Sequence, residues 1–265
     1  MSHPIILGII QGLTEFLPIS SSGHLILVPK ILGIRDQGLD FDVIVHLGTL
    51  VAVLFAFRKK LRDIFKGVFG RGRGQEANAR LGALIILSII PAGLAGFLFK
   101  DLVENNFRSN IVVAANLIFW GLVLWLADSY SKRAHFKTKN VNSVGIFQTI
   151  TVALSQALAL IPGTSRSGVT MSFGMLTKMD RKTAVEFSFL ISIPIIAAAA
   201  GYELFNLLRE GIVIEEAKSL LVGFAAAAIS GFIAIKLLLA FIKRFGFKLF
   251  AVYRILLGAA ILILL

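Results

Sequence analysis

Long apolar stretches alternate with short basic ones along the chain, and the apolar stretches have the length of membrane helices. Residues 81–99 contain no charge over nineteen positions, and residues 111–127 none over seventeen. Residues 219–235 and 249–265 are alike, the second interrupted only by Arg254. Residues 43–57 and 187–202 complete a set of six. Each approaches the ~20 apolar residues that a helix needs to cross about 30 Å of hydrocarbon. One such stretch could be a buried soluble helix. Six in 265 residues predict an all-α polytopic membrane bundle.

Two further apolar segments stop too early to span. Residues 4–17 would make roughly 21 Å of helix before Pro18 ends it, and residues 25–34 are shorter still. Residues 144–161, stopped by Pro162 and Gly163, and then residues 169–177 repeat the arrangement. Broken backbone at membrane depth is tolerated only inside protein or beside a wet cavity, because lipid cannot satisfy its N–H and C=O groups. The two breaks therefore mark a cavity. A slide of 145 residues pairs Gln11 with Gln156, Leu13 with Leu158, Ser20 with Ser165, Ser22 with Ser167 and Gly23 with Gly168, five identities in thirteen positions. Each copy precedes three spanning helices, an odd number, so the second copy starts from the opposite face. The expected architecture is a single integral membrane domain of two inverted-topology repeats, residues 1–135 and 140–265 in round terms. Each repeat is a re-entrant helix–loop–helix plus three spanning helices, and the broken helices meet near the midplane.

Composition and charge sharpen this picture. Apolar residues make up 57% of the chain and charged residues 16%, too little polar surface to cover a water-facing exterior. With no cysteine there is no disulfide framework and no thiolate metal site. The net charge of +12 could suggest nucleic acid, but its distribution points to topology. Residues 58–80, 128–143, 178–182 and 243–248 carry eighteen Lys and Arg, against six in residues 29–39, 100–109 and 203–218. Positive-inside sorting puts the first group in the cytoplasm and both termini outside, and no nucleic-acid partner is expected. Lys236 and Arg254 lie near cytoplasmic helix ends, where they would snorkel without a function. The Arg71–Gly74 stretch reads as a flexible loop, and the N-terminus lacks the marks of a cleavable signal.

Chemistry concentrates in the breaks. The first reads QGLTEFLPISSSGH from Gln11 to His24, the second PGTSRSGVT from Pro162 to Thr170. Gln11 and Glu15 are four apart and share a helix face directed at the serines. An intramembrane acid such as Glu15 is costly and defaults to function, the bland alternative being a protonated carboxyl bonded within the bundle. Arg166 at the other break is either a structural ion pair with Glu15 or a phosphate-binding fork. Helix starts rich in Ser, Thr and Gly are ready anion sites, so Ser20, Ser22, Thr164, Ser165, Ser167, Gly168 and Thr170 are expected around an anion with several oxygens, such as a diphosphate. One of Ser20, Ser21 and Ser22 would cap the following helix. His24 beside Glu15 and Arg166 is a candidate acid, base or nucleophile. His46, one turn from Asp42, and Glu186 read mostly as interfacial polar residues. His3 and His135 carry no signal. An acid beside a diphosphate needs either a bridging cation or proton uptake. Mg²⁺ or Ca²⁺ on Glu15, with help from Gln11 and substrate phosphates, fits the first.

These two stretches resemble the bacterial undecaprenyl-diphosphate phosphatase family, also called the bacitracin-resistance protein family. The likeness extends over nearly the whole chain, including the segment EFSF around Glu186. The resemblance implies an inner-membrane enzyme, its site opening outward, that hydrolyses undecaprenyl diphosphate to the monophosphate and phosphate, recycling the lipid carrier of cell-wall synthesis. It puts the family's paired acidic motif on Gln11 and Glu15, its serine–histidine segment on Ser20, Ser21 and His24, and its arginine motif on Ser165, Arg166, Ser167 and Thr170. Gln11 is the less acidic option at its position, which weakens a two-carboxylate metal site. Arg166 and the hydroxyl-rich helix starts would hold the diphosphate. Ser21 is the expected nucleophile, with Glu15 as base or metal ligand and His24 as acid/base; His24 as nucleophile is the competitor. The main rival is a lipid-phosphate flippase or anion transporter, since inverted repeats with broken helices are also a transporter plan. A second rival is the integral lipid phosphatases with a histidine after their serine–arginine motif, but no histidine follows Arg166. A homodimer is left open.

Overall fold

A computed structural model describes residues 2–33, 38–70, 74–107, 109–134, 138–210 and 214–264. Most of the Arg71–Gly74 loop and His135 lie outside these residues. The described chain is helical: α1 (Ser2–Phe16), α2 (Ser21–Leu32), α3 (Gly38–Ala56), α4 (Arg58–Phe69), α5 (Glu76–Leu87), α6 (Ile89–Asn106), α7 (Asn110–Arg133), α8 (Ile146–Ala157), α9 (Arg166–Leu176), α10 (Arg181–Glu210), α11 (Ile214–Arg244) and α12 (Lys248–Leu264).

Four helical stretches are long and apolar enough to cross a membrane: α5 with α6, α7, α10 and α11. A fifth is reached if α3 and α4, bent by 76° about Phe57, count as one broken span. The expected span at 43–57 is thus the C-terminal part of α3, with the bend at its end, and the expected span at 81–99 lies inside the α5–α6 stretch. The helix of that stretch is interrupted at Ser88, three residues before Pro91, which cannot donate to the helix ladder. The expected span at 249–265 is α12, whose seventeen residues make about 25 Å of helix, slightly short of a bilayer.

Polarity is inside out. Phe97, Leu98, Leu126, Ile229 and Leu237 face outward and exposed, while Gln11, Glu15, His24, Thr49, Gln156, Thr164 and Ser165 are buried. Apolar exteriors of this extent mark contact with lipid or partners rather than water. The tightest seam joins α1 to α11, and α11 in turn packs on α3. A methyl at Gly8 would lie 2.5 Å from the Gly223 carbonyl oxygen, so only glycine lets the two backbones approach this closely.

The four basic segments gather at one end. Lys60 and Arg80 both reach Asn142, Arg181 pairs with buried Asp128 at 2.6 Å, and the Asp180 N–H donates to Thr138. A methyl at Gly246 would touch Arg181 and Asp128. Two of the opposite segments meet through Lys100 and Glu203 at 3.0 Å. The grouping inferred from charge therefore matches the packing.

Candidate active site

Both breaks stand where the sequence interrupts the helix, with shifts of a few residues at the boundaries. Leu17, preceding Pro18, is disfavoured in helical conformation, and α1 ends at Phe16. In the second break a 3-10 turn, Leu158–Leu160, follows α8 before Pro162 and Gly163. Each break turns on a serine of positive φ: Ser20 at +75° and Ser165 at +68°. Non-glycine residues in such regions cost of order 1–3 kcal/mol and persist only when their surroundings hold them. Here the surroundings repeat. The Ser20 hydroxyl lies 3.3 Å from that of Ser22 and accepts from the Gly23 N–H at 3.4 Å. The Ser165 hydroxyl lies 3.3 Å from that of Ser167 and accepts from the Gly168 N–H at 3.2 Å. The five-identity register therefore has a matching geometry.

Glu15 is the centre. It sits in the last turn of α1, 8% exposed. Its Oε1 accepts from Arg166 Nη2 at 3.1 Å. Its Oε2 accepts from the Ser21 hydroxyl at 2.8 Å and from Gln11 Nε2 at 3.0 Å. His46 Nε2 stands 3.8 Å from the same oxygen, with Nδ1–H donating to the Asp42 carbonyl. The structure thus brings Gln11, Glu15, Ser21 and Arg166 together, and moves His46 from the interfacial role expected of it to the edge of the site. The ion pair weighed as the bland account of Arg166 does exist. It spends one donor of a five-donor fork on Glu15 and another, at 3.4 Å, on the Ser188 carbonyl.

The remaining expected residues support this centre from behind. Ser167 donates to the Leu17 carbonyl at 3.0 Å, tying one break to the other. Thr170 bonds the Arg166 carbonyl and the Ser188 hydroxyl, fixing the base of the arginine. Thr164 is fully buried, and its hydroxyl has no partner among the described residues. Ser22 is exposed. His24 is turned elsewhere. Its Nδ1–H donates to the Ser20 carbonyl at 2.7 Å, which leaves Nε2 of the neutral ring to accept from the Tyr253 hydroxyl at 2.7 Å. The two rings stack at 5.7 Å. Glu186 pairs with Lys182 at 3.6 Å among the basic segments, away from the centre.

One expectation is overturned. Arg254 does not snorkel: it is 0% exposed, and its guanidinium donates to the carbonyls of Pro18, Gly163 and Thr164 beneath both breaks. Lys236 does stay exposed, its ammonium over the Phe232 ring. Tyr253 and Arg254 escaped sequence reading because their partners lie 90 to 236 residues away.

Among the described residues no three His, Asp or Glu side chains converge on a metal position. The nearest approach to a donor set is Glu15 with Gln11, whose Oε1 is buried and has no partner among the described residues. One carboxylate and one amide oxygen suit a hard cation whose other ligands come from substrate phosphates.

Fold and centre together define a polytopic membrane protein with an acid, a hydroxyl and a guanidinium locked between two broken helices. Comparison with known proteins gives the lineage. The family profile described as bacitracin resistance protein BacA matches residues 4–260, and the chain belongs to that family. It is 44% identical over 260 residues to the undecaprenyl-diphosphatase of Saccharophagus degradans, covering 98% of this chain and 96% of the relative. It is 46% identical over 264 residues to undecaprenyl-diphosphatase 2 of Stutzerimonas stutzeri, with the same coverages. With the undecaprenyl-diphosphatase of Moorella thermoacetica it shares 45% identity over 257 residues, 97% of this chain and 95% of the relative.

Proposed function

We propose that the chain hydrolyses undecaprenyl diphosphate to undecaprenyl phosphate and inorganic phosphate in the bacterial cell membrane, and so contributes to bacitracin resistance. The observation that carries the reading is one buried carboxylate bonded to a serine hydroxyl through one oxygen and to a guanidinium through the other. A hydroxyl within 2.8 Å of a carboxylate is a nucleophile with its base. A guanidinium beside them is the partner that a phosphoryl group requires.

In this mechanism Arg166 turns its free donors to the terminal phosphate. Glu15 takes the Ser21 proton as Oγ attacks the terminal phosphorus, and the bond to the bridging oxygen breaks, releasing undecaprenyl phosphate. Water then attacks the phosphoserine. The proton held by Glu15 goes to Ser21 Oγ as it leaves, and inorganic phosphate departs with the protons of that water. Positioning and charge stabilisation carry most of the acceleration. His24, tied to Tyr253, stands as a positioning or proton-transfer group rather than the nucleophile, because its Nε2 lone pair is already engaged. Ser20, Ser22, Ser165, Ser167 and Gly168 shape the anion-binding helix starts, with Thr164 and Thr170 behind them. A divalent cation, Mg²⁺ or Ca²⁺, would be held by Glu15 and Gln11 Oε1 and would offset charge between the carboxylate and the diphosphate.

The same reading makes the chain one membrane domain of two inverted repeats, residues 1–135 and 140–265, with α1–α2 and α8–α9 as re-entrant pairs. The packing supports it by exchange: α1 lies on α11 as α8 lies on α6, and α7 packs on its counterpart α12. The basic end is then cytoplasmic, and the chamber opens outward.

Phosphate release from undecaprenyl diphosphate by purified protein in detergent tests the proposal, with Arg166→Ala as control. No release, together with movement of the intact lipid across sealed vesicles, would favour a flippase instead.

A further inference from the structure

Among the described residues Arg254 is the largest fully buried side chain, and no carboxylate pairs with it. Burying a guanidinium without a counter-ion is expensive unless its donors are satisfied. Here backbone carbonyls satisfy them. Nη2 donates to Thr164 at 2.8 Å and to Gly163 at 3.0 Å, Nη1 to Pro18 at 3.3 Å, and Nε, more weakly, to Leu117 at 3.5 Å. One planar fork thus holds the first break, the second break and α7 from its place on α12. The approach is close: a methyl on Gly168 would sit 2.6 Å from Nη1.

Which way those carbonyls point matters for the reaction. In a planar trans peptide the C=O of one residue and the N–H of the next point in opposite directions within the plane. With the Thr164 carbonyl drawn to Arg254, the Ser165 N–H points away from it, at the start of α9 beside the Arg166 that reaches Glu15. The positive φ of Ser165 belongs to the same arrangement.

We infer that Arg254 is a positioning residue for phosphoryl transfer: by gripping the Pro18, Gly163 and Thr164 carbonyls it turns the Ser165 amide toward the diphosphate and keeps Ser21 and Arg166 in register on Glu15. The inference rests on the phosphatase reading and deepens it. Arg254 acts through backbone and touches no substrate. Its fork geometry does the holding, not its charge alone, because a lysine ammonium cannot span carbonyls from both breaks at once.

The test is Arg254→Lys, which keeps the charge and removes the fork, in purified full-length protein releasing phosphate from undecaprenyl diphosphate. The expected result is a kcat per folded molecule lower by roughly tenfold to a hundredfold, as for a misplacement of about 1 Å, with KM close to wild type, whatever the fall in the thermal midpoint. Wild-type kcat, or a rise in KM alone, would overturn the inference. So would a lowered thermal midpoint with full kcat per folded molecule, which would make Arg254 purely structural. Arg254→Gln, whose single amide cannot reach carbonyls of both breaks at once, decides the matter if Arg254→Lys does not fold: its kcat per folded molecule should fall at unchanged KM, and an unchanged kcat counts against Arg254. Failure of the wild-type protein to release phosphate would instead sink the phosphatase reading, and is seen in the same assay before any variant is compared.

Discussion

Ser21 and Arg166 hold corresponding positions, each the first residue of the helix after its break, and they grip opposite oxygens of the Glu15 carboxylate at 2.8 and 3.1 Å. Within residues 20–23 and 165–168 the two breaks share serine, serine and glycine and differ only at this position: a hydroxyl in one, a guanidinium in the other. Duplicated geometry with divergent chemistry yields a centre in which a hydroxyl and a guanidinium converge on a single carboxylate.

Ser21→Ala should abolish phosphoenzyme formation and lower kcat by about 10³ or more, since removing a nucleophile from a unit disables the whole unit. Acid-quench trapping with labelled terminal phosphate reads it directly. His24→Ala should still trap the phosphoenzyme. Full turnover by Ser21→Ala would remove it from the mechanism.

Replacement of Arg166 separates charge from geometry. Arg166→Ala should cost on the order of 10²–10³ in kcat and also destabilise the fold, because it leaves Glu15 buried with an unpaired charge. Arg166→Lys should regain stability but not the full rate, since a point charge cannot serve carboxylate, carbonyl and phosphate together. Thermal unfolding and initial rates on the same samples distinguish the two effects. An Arg166→Lys enzyme as fast as wild type would argue that only charge is used.

The centre was legible in the sequence because its residues are local to two short motifs, and because an acid or a guanidinium at membrane depth has no inexpensive structural role. Glu15 and Arg166 follow from that physics, whereas Ser21 was singled out from its two serine neighbours only by the family resemblance. Arg254 was misread for the converse reason. Its place within the first turns of α12 looks like a snorkelling position, and nothing in the sequence says that three carbonyls from distant segments converge there. His46 and Tyr253 were obscured in the same way, each meeting its partner through packing of α3 on α1 and of α12 near α2. The spanning helices were readable from hydropathy, but the bend at Phe57 and the interruption at Ser88 were not, because hydropathy is blind to direction.

The α1–α11 seam should be intolerant of a single methyl. At Gly8 the added carbon meets a backbone oxygen at 2.5 Å, which cannot rotate away. Gly8→Ala should destabilise by about 1–3 kcal/mol, as overpacking does, and lower the thermal midpoint in detergent. Gly201→Ala in α10, with nothing near the added carbon, should be neutral or stabilising through helix propensity, by up to about 1 kcal/mol. Equal behaviour of the two variants would deny that close approach governs the seam.

If the proposed cation takes part, Gln11 should set how tightly the centre holds it. Its amide donates to Glu15 through Nε2, and Oε1 is left buried and unmatched among the described residues. A hard cation brought in by the diphosphate would use that oxygen together with Glu15. Chelator should therefore slow phosphate release, and Mg²⁺ or Ca²⁺ should restore it. Gln11→Ala removes the oxygen while leaving Glu15 paired to Ser21 and Arg166, so half-maximal activity should need roughly tenfold more cation or beyond, the usual scale for losing one supporting group at a metal site. Gln11→Glu supplies a second carboxylate and should shift the requirement the other way, at some cost from repulsion with Glu15. A titration of activity against free cation for the three proteins reads both shifts. Identical curves, or rates indifferent to chelator, would mean that Arg166 alone balances the charge of Glu15 and of the phosphate.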